Sequence, residues 1–469
     1  WLHESFATYY SKQFMHKIEG ESQYEWTKHA EAVQAINADR NDRFPIANSH
    51  AGSARVYPKG SFVLDMLRYV VGDSVFKRTI THYLTKHAYS NVTNHDFMMA
   101  FMETAGLNLD WFFNQWVFHA GYPNYQVSYE KQAGKLAFFI KQTQRVDNLQ
   151  DYFQMPVAFE AHFTDGSTTS TTAWLSHGAD TVYLNAPAGK KLEYTLFDPG
   201  YNIIKTVEFN RSYDELAAQA LKAPHMIDRY EALTELRTTG IEIKRTLLNQ
   251  VLNKGDYSEI TIEVLQQLAK DSTPATWQLF GKALQSPDVF VRRTALDNLE
   301  TIPAQLVPQA EKMLADSSYV NIEIALRKLC KQFPEKSAAY LAQVKNIKGQ
   351  SDNVRIAWLE LSTNIPGADS AKIQPYYHEL VNYAGNSYEF RTRIKAMDAL
   401  SRLNYCDSQL IYNLFNAVLY TNGRLSNPAA NVLRAALKTP ANLQLAKQVL
   451  EVNKWTDWQH KALEGYLKN

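Results

Sequence analysis

The sequence predicts a multidomain, mainly α chain with a β-sandwich in its middle and a HEAT-like α-helical superhelix in its second half. Three observations predict it. Apolar residues recur at helical spacing over 1–123, the period drops to two over 124–209, and helical periodicity returns over 210–469 in a repeating form. At 469 residues the chain is long enough for more than one hydrophobic core. Its 45% apolar and 21% charged residues are globular proportions, which excludes disordered, collagen-like and coiled-coil classes. With 49 Lys and Arg against 48 Asp and Glu, the net charge of +1 gives no general pull toward nucleic acid or an anionic membrane. No apolar run reaches the roughly 18–20 residues that span a bilayer. Cys330 and Cys406 are the two cysteines, too few and too far apart for a disulfide scaffold or a cysteine zinc knuckle.

The first element is an amphipathic helix in WLHESFATYYSKQF, where Leu2, Phe6, Tyr9 or Tyr10, and Phe14 fall on one side. No N-cap precedes it, so it is expected to be a cut edge, and the compartment stays unknown. Pro58 suits the first turn of a second helix carrying Val63, Leu64, Leu67, Val70 and Val71. Gly72-Asp73 stops that helix and starts another with Phe76, Ile80, Tyr83 and Leu84. Thr93 and Asp96 have capping-box spacing ahead of Phe97 and Phe101, with a stop at Gly106. A further helix runs from about Asp110 to Phe118 and ends at Gly121-Tyr122-Pro123.

Alternation then takes over. Tyr125, Val127 and Tyr129 form one series, and Val157, Phe159, Ala161 and Phe163 another, with turn signals at Asp165-Gly166 and Asp198-Pro199-Gly200. About seven strands are expected. Beyond 210, the segments beginning at 286, 316, 351 and 386 share a polar start followed by basic, Ala and Leu positions, at spacings of 30, 35 and 35 residues. Stacked helical hairpins with a concave face are the expected result.

The titratable groups alone reveal no complete catalytic set. None of the 13 histidines has another at i+4, so there is no H-E-x-x-H helix, and no nucleophile elbow, Walker loop or dinucleotide fingerprint occurs. Two segments stand out nonetheless. Glu4 sits among Trp1, Leu2 and Phe6, so it is either solvated on the far helix face or buried against a strong partner. Tyr57 stands before Pro58, Lys59 and Gly60 at a helix entry, where it either projects its hydroxyl into a cleft or simply packs.

WLHESFA resembles the W-L-N-E-G-F-A segment of the aminopeptidase N family of zinc metallopeptidases, the gluzincins. YPKGSFVLDML resembles that family's Y-x-K-G-x-x-x-L-x-M-L segment, and WFFNQWVFHAGYP at 111–123 resembles the tryptophan-rich close of its catalytic domain. The resemblance implies that residues 1–123 are the C-terminal part of a thermolysin-like catalytic domain, 124–209 a β-sandwich and 210–469 a HEAT-like helical domain. It implies that Glu4 is the third zinc ligand and Tyr57 the tyrosine that hydrogen-bonds the tetrahedral intermediate. Two positions depart from the motif, His3 standing for Asn and Ser5 for Gly; both are expected to leave zinc binding intact and to alter helix packing. His3 as an added ligand is disfavoured, because neighbouring helical residues diverge by about 100°.

The activity implied is zinc-dependent removal of N-terminal residues from peptides with a free amino end. The H-E-x-x-H helix, with two histidine ligands and the general base, and the G-x-M-E-N segment that reads the substrate amine would precede Trp1. The chain alone is therefore expected to be inert, with Leu2, Phe6 and Tyr10 left as an uncovered apolar face. Two other readings remain: a catalytically silent homologue or helical-repeat scaffold, and a branch acting on a non-peptide substrate such as an epoxide. A scaffold would need neither Glu4 nor Tyr57.

Overall fold

The computed structural model describes residues 1–255, 257–365 and 370–468. The chain separates into two compact units, Trp1–Gln267 and Leu268–Asn469. It is mainly helical, with one small β domain inside the first unit.

The first unit opens with α1 (Leu2–Glu19) and α2 (Glu21–Asn41), joined through Gly20, whose φ of 89° only glycine adopts without strain. A π-helical turn, Arg55–Lys59, runs directly into α3 (Gly60–Val71). Pro58 thus lies inside a wide turn and not in the first turn of an α-helix. Gly72, at φ 80°, ends α3 and starts α4 (Asp73–Lys86). The Thr93–Asp96 capping box is formed in both directions and opens α5 (Asn94–Ala105), which Gly106 closes in the left-handed region. The Asp110–Phe118 helix forms as α6 (Asp110–Phe113) followed by a second π-helical turn, Asn114–Phe118.

Seven strands follow: β1 (Asn124–Gln132), β2 (Lys135–Gln142), β3 (Met155–Phe163), β4 (Thr168–Leu175), β5 (Ala179–Asn185), β6 (Leu192–Phe197) and β7 (Thr206–Phe209). They make a four-stranded sheet in the order β5-β2-β1-β7 and a three-stranded sheet in the order β4-β3-β6. All pairings are antiparallel except β1 with β7. The inward series Val157, Phe159, Ala161 and Phe163 is buried, as period two requires. Phe138 meets Phe159 at 5.2 Å between ring centroids, and Tyr125 meets Phe197 at 5.2 Å, so the two sheets close face to face on aromatic pairs.

Helices α7 (Tyr213–Lys222), α8 (Met226–Glu235) and α9 (Ile241–Lys254) belong to this first unit by their contacts, although the change from strand to helix comes earlier in the chain. The tie is specific. Glu25 of α2 pairs with His225 at 2.5 Å and accepts from the Ile227 backbone N–H at 3.1 Å, while Lys28 donates to the Gly200 carbonyl at 2.9 Å. One continuous apolar core runs from Tyr9 to Ile227.

Leu2 and Phe6 differ from expectation. Both pack against this core, Phe6 meeting Phe97 edge-on at 5.3 Å and stacking on Tyr83 at 6.3 Å. The exposed apolar stripe of α1 lies one to three turns further on, at Tyr10, Phe14 and Ile18.

In the second unit the repeating segments are helices: Val289–Asp297, Tyr319–Gln332, Asn353–Thr363 and Phe390–Arg402. Each packs on the next, and the helices between them pack on their neighbours in sequence. A recurring polar tie marks the repeat, with Asn321 donating to the Val289 carbonyl at 3.1 Å and Asn353 to the Tyr319 carbonyl at 3.0 Å.

Candidate active site

Glu4 lies in the first turn of α1, half-buried, and Tyr57 is the central residue of the π-helical turn, 39% exposed. They are 53 positions apart in sequence, and the fold brings them together. The Tyr57 hydroxyl lies beside the Glu4 carboxylate, and that neighbour, with some desolvation, holds the phenol above its ordinary value. A tyrosine at this point stays protonated and remains a hydrogen-bond donor at neutral pH.

The residue beside Glu4 explains why the two elements approach so closely. Ser5 is fully buried, and its Oγ donates to the Val56 carbonyl at 2.8 Å, adjacent to Tyr57. Opposite it, Gly60 has no side chain. A Cβ there would lie 1.9 Å from Ser5 Oγ and 2.8 Å from Ser5 Cβ. Gly60 has an ordinary helical φ of −65°, so the requirement is space, not backbone conformation. The serine at motif position five is therefore a cross-link between α1 and the turn. The N-terminal edge of α1 is held separately by Trp1 Nε1, which donates to Asn94 Oδ1 at 2.6 Å.

A buried ionic network supports the turn from below. Asp39, near the end of α2, accepts from Arg55 Nε at 2.8 Å on one oxygen and from Lys59 Nζ at 2.8 Å on the other. Arg55 also reaches the Ala51 carbonyl at 2.9 Å and the Asp42 carbonyl at 2.6 Å, and Lys59 reaches the Gly121 carbonyl at 3.0 Å. Burial lowers the Lys59 pKa below its usual value, with Asp39 opposing the shift. These charges leave no local signature in the sequence, because their partners are 16 and 20 residues distant. The same holds for Lys12, buried on α1 two turns beyond Glu4, where it pairs with Glu31 and Asp65 and donates to Ser61 Oγ at 3.0 Å. A polar cavity of about 400 Å³, lined by His16, Tyr24, Lys28, Arg68 and His225 among others, contains neither Glu4 nor Tyr57.

As a zinc site this donor set is one corner only. A carboxylate oxygen suits zinc, but among the described residues no group of three or more His, Cys, Asp or Glu side chains is placed to hold a metal ion. His3 is exposed on the turn beside Glu4 and joins no such group. No helix among the described residues is long and apolar enough to cross a membrane.

Comparison with known proteins points the same way as the motifs. Residues 1–116 match the peptidase family M1 domain. The chain is 26% identical over 178 residues to "Probable aminopeptidase 1" of Sulfurisphaera tokodaii, an alignment covering 34% of this chain and 22% of that protein. It is 33% identical over 93 residues to an aminopeptidase N of Lactococcus lactis, covering 20% and 11% respectively. The crystal structure of Legionella pneumophila aminopeptidase A, solved with aspartic acid, superimposes with a TM-score of 0.58 over 99% of this chain and 62% of that one, at 13% identity, a likeness of fold alone. The chain thus spans less than two thirds of the proteins it resembles. Residues 1–116 thus resemble the peptidase family M1 domain, and the relatives found carry aminopeptidase names.

Proposed function

We propose that this chain carries part of the active site of a zinc-dependent aminopeptidase, with Glu4 as a metal ligand and Tyr57 as the donor to the developing oxyanion. The observation that carries the reading is the pairing of Glu4 with Tyr57 on one half-exposed surface, fastened by Ser5 and Gly60. Zinc, when bound, supplies a water of pKa near about 7 and polarises the scissile carbonyl. The remaining work belongs to the chain's own groups. A carboxylate has about four lone-pair positions, so Glu4 can ligate through one oxygen and accept from Tyr57 on the other. Tyr57, kept protonated by that neighbour, presents a neutral O–H to negative charge as it forms on the substrate carbonyl. Leu2 and Phe6, two residues before and after Glu4, pack against the core and so anchor this turn of α1.

The two histidine ligands and the general base implied by the family motifs are not among these 469 residues, so the chain by itself is expected to bind no stoichiometric zinc and to cleave no aminoacyl-anilide. The substrates in this reading are peptides with a free N-terminus. The helices from 210 onward are proposed to form a HEAT-like superhelix. In the zinc-loaded enzyme containing this chain, Glu4→Ala should lose metal and activity together. Retention of stoichiometric zinc with normal turnover would remove Glu4 from the site.

A further inference from the structure

We infer that Asp39 is a positioning residue for Tyr57, gripping both flanks of the turn that presents the hydroxyl. The inference rests on Tyr57 being the oxyanion donor. A π-helical turn is a rare conformation that frequently marks functional positions, and this one contains Pro58, which brings no N–H to its backbone ladder. Local propensity does not explain its persistence. Asp39 does, because one carboxylate from a different helix binds the residue two before Tyr57 and the residue two after it.

The arrangement is costly and rigid. Asp39, Arg55 and Lys59 are all buried, at 7%, 4% and 1% exposure. Two cations on one buried anion are balanced by Asp42, whose carboxylate also pairs with Arg55, and by three backbone carbonyls. Apolar residues of similar volume would often stabilise such a place as well or better, so a buried ionic cluster is poor evidence for stability and better evidence for register. Here both carboxylate oxygens are used, each at 2.8 Å and each on one side of Tyr57. The turn can neither slide along α2 nor rewind toward α-helical register without breaking one of them. Lys59 extends the hold to the Gly121 carbonyl, just past the second π-helical turn. The consequence reaches Tyr57 directly, since about 1 Å of misplacement at a reacting centre can cost about 100-fold in rate.

The test is a double-mutant cycle with a spectroscopic arm. In the zinc-loaded enzyme containing this chain, Asp39→Asn should lower kcat by about 10- to 100-fold with KM little changed. On a Tyr57→Phe background the same substitution should change kcat by less than about two-fold, since the group it positions is already gone. Equal losses on both backgrounds would make Asp39 a general structural residue and overturn the inference. No loss on either would overturn it too. The second arm needs neither metal nor turnover. With 3-fluorotyrosine at position 57, the ¹⁹F resonance should move when Glu4→Gln is introduced, and Asp39→Asn should abolish that response. If the response survives Asp39→Asn, positioning is refuted whatever the kinetics show. A Tyr57→Phe enzyme with normal kcat would instead refute the oxyanion reading, and the fluorine result would still decide whether Asp39 fixes the ring. Should Asp39→Asn not fold, Asp39→Glu keeps the charge, shifts it by one methylene and should give the same pattern.

Discussion

Moving one methylene group across the contact between α1 and the π-helical turn should expose how tightly Glu4 and Tyr57 are held. In Gly60→Ala the new Cβ meets Ser5 Oγ at 1.9 Å and Ser5 Cβ at 2.8 Å, while the next neighbour, the Arg55 carbonyl oxygen, lies at an ordinary 3.5 Å. Rotating the serine relieves the first clash but not the second, so α1 or the turn must shift. Overpacking of this kind costs about 1–3 kcal/mol, against a gain of about 1 kcal/mol for alanine over glycine in a helix. The single variant should therefore be destabilised by up to about 2 kcal/mol. Ser5→Gly should also lose about 1–2 kcal/mol, from the 2.8 Å bond to Val56 and from a glycine in a helix. In the double variant both clashing atoms are gone. The Gly60→Ala change should then be neutral or favourable, a coupling energy of about 2 kcal/mol. Urea unfolding followed by circular dichroism gives the free energies, and hydrogen exchange in α1 and α3 locates the change. Additive losses in the double variant would refute the close approach of the two elements at this point.

Other outcomes follow from the same packing. His29 is half-buried on α2 among Trp26, Tyr201 and Tyr230, and desolvation first, with the charges of Lys205 and Arg237, pushes it down to about 4. Because the folded state holds this imidazole neutral, its contribution is intact above about pH 6.5 and is lost as pH falls toward 4, amounting to about 3 kcal/mol. His29→Phe should flatten the pH dependence of the urea midpoint across that window, and an unchanged slope would show that His29 is not the titrating group. Phe97 touches the rings of Phe6, Tyr83, Phe101 and Phe113 and is fully buried. Phe97→Ala should cost about 3–5 kcal/mol in the unfolding free energy of the first unit, and a loss below 1 kcal/mol would mean that the site collapses around the gap.

Much of the fold was legible because it is written in short-range patterns. The Thr93–Asp96 box, the Gly106 stop, the inward series of β3 and the four repeating helices all rest on residues within a turn or a strand of one another. The candidate site was legible only as two motifs. Local pattern left Glu4 either solvated or paired, since its partner is on another element. Pro58 fits the first turn of an α-helix and the interior of a π-helical turn equally well, because both tolerate a missing N–H. What selects the wider turn is the grip of Asp39 on Arg55 and Lys59, and nothing in the spacing of 39, 55 and 59 announces it. The exposed face of α1 was misjudged for a similar reason. Phe6 is covered by Tyr83 and Phe97 from later helices and Leu2 packs against the same core, which leaves Tyr10, Phe14 and Ile18 outside.

The central claim is that Tyr57 donates to charge formed in the transition state, and steady-state kinetics with zinc content on Tyr57→Phe in the zinc-loaded enzyme test it most directly. Phenylalanine keeps the ring, so fold and zinc should be retained and KM should change little. Removing one oxyanion donor should lower kcat by about 10² to 10³, or about 2.7–4 kcal/mol of barrier. A near-normal kcat would make Tyr57 a packing residue, and a loss of activity that tracks a loss of zinc or of fold would contradict the account equally.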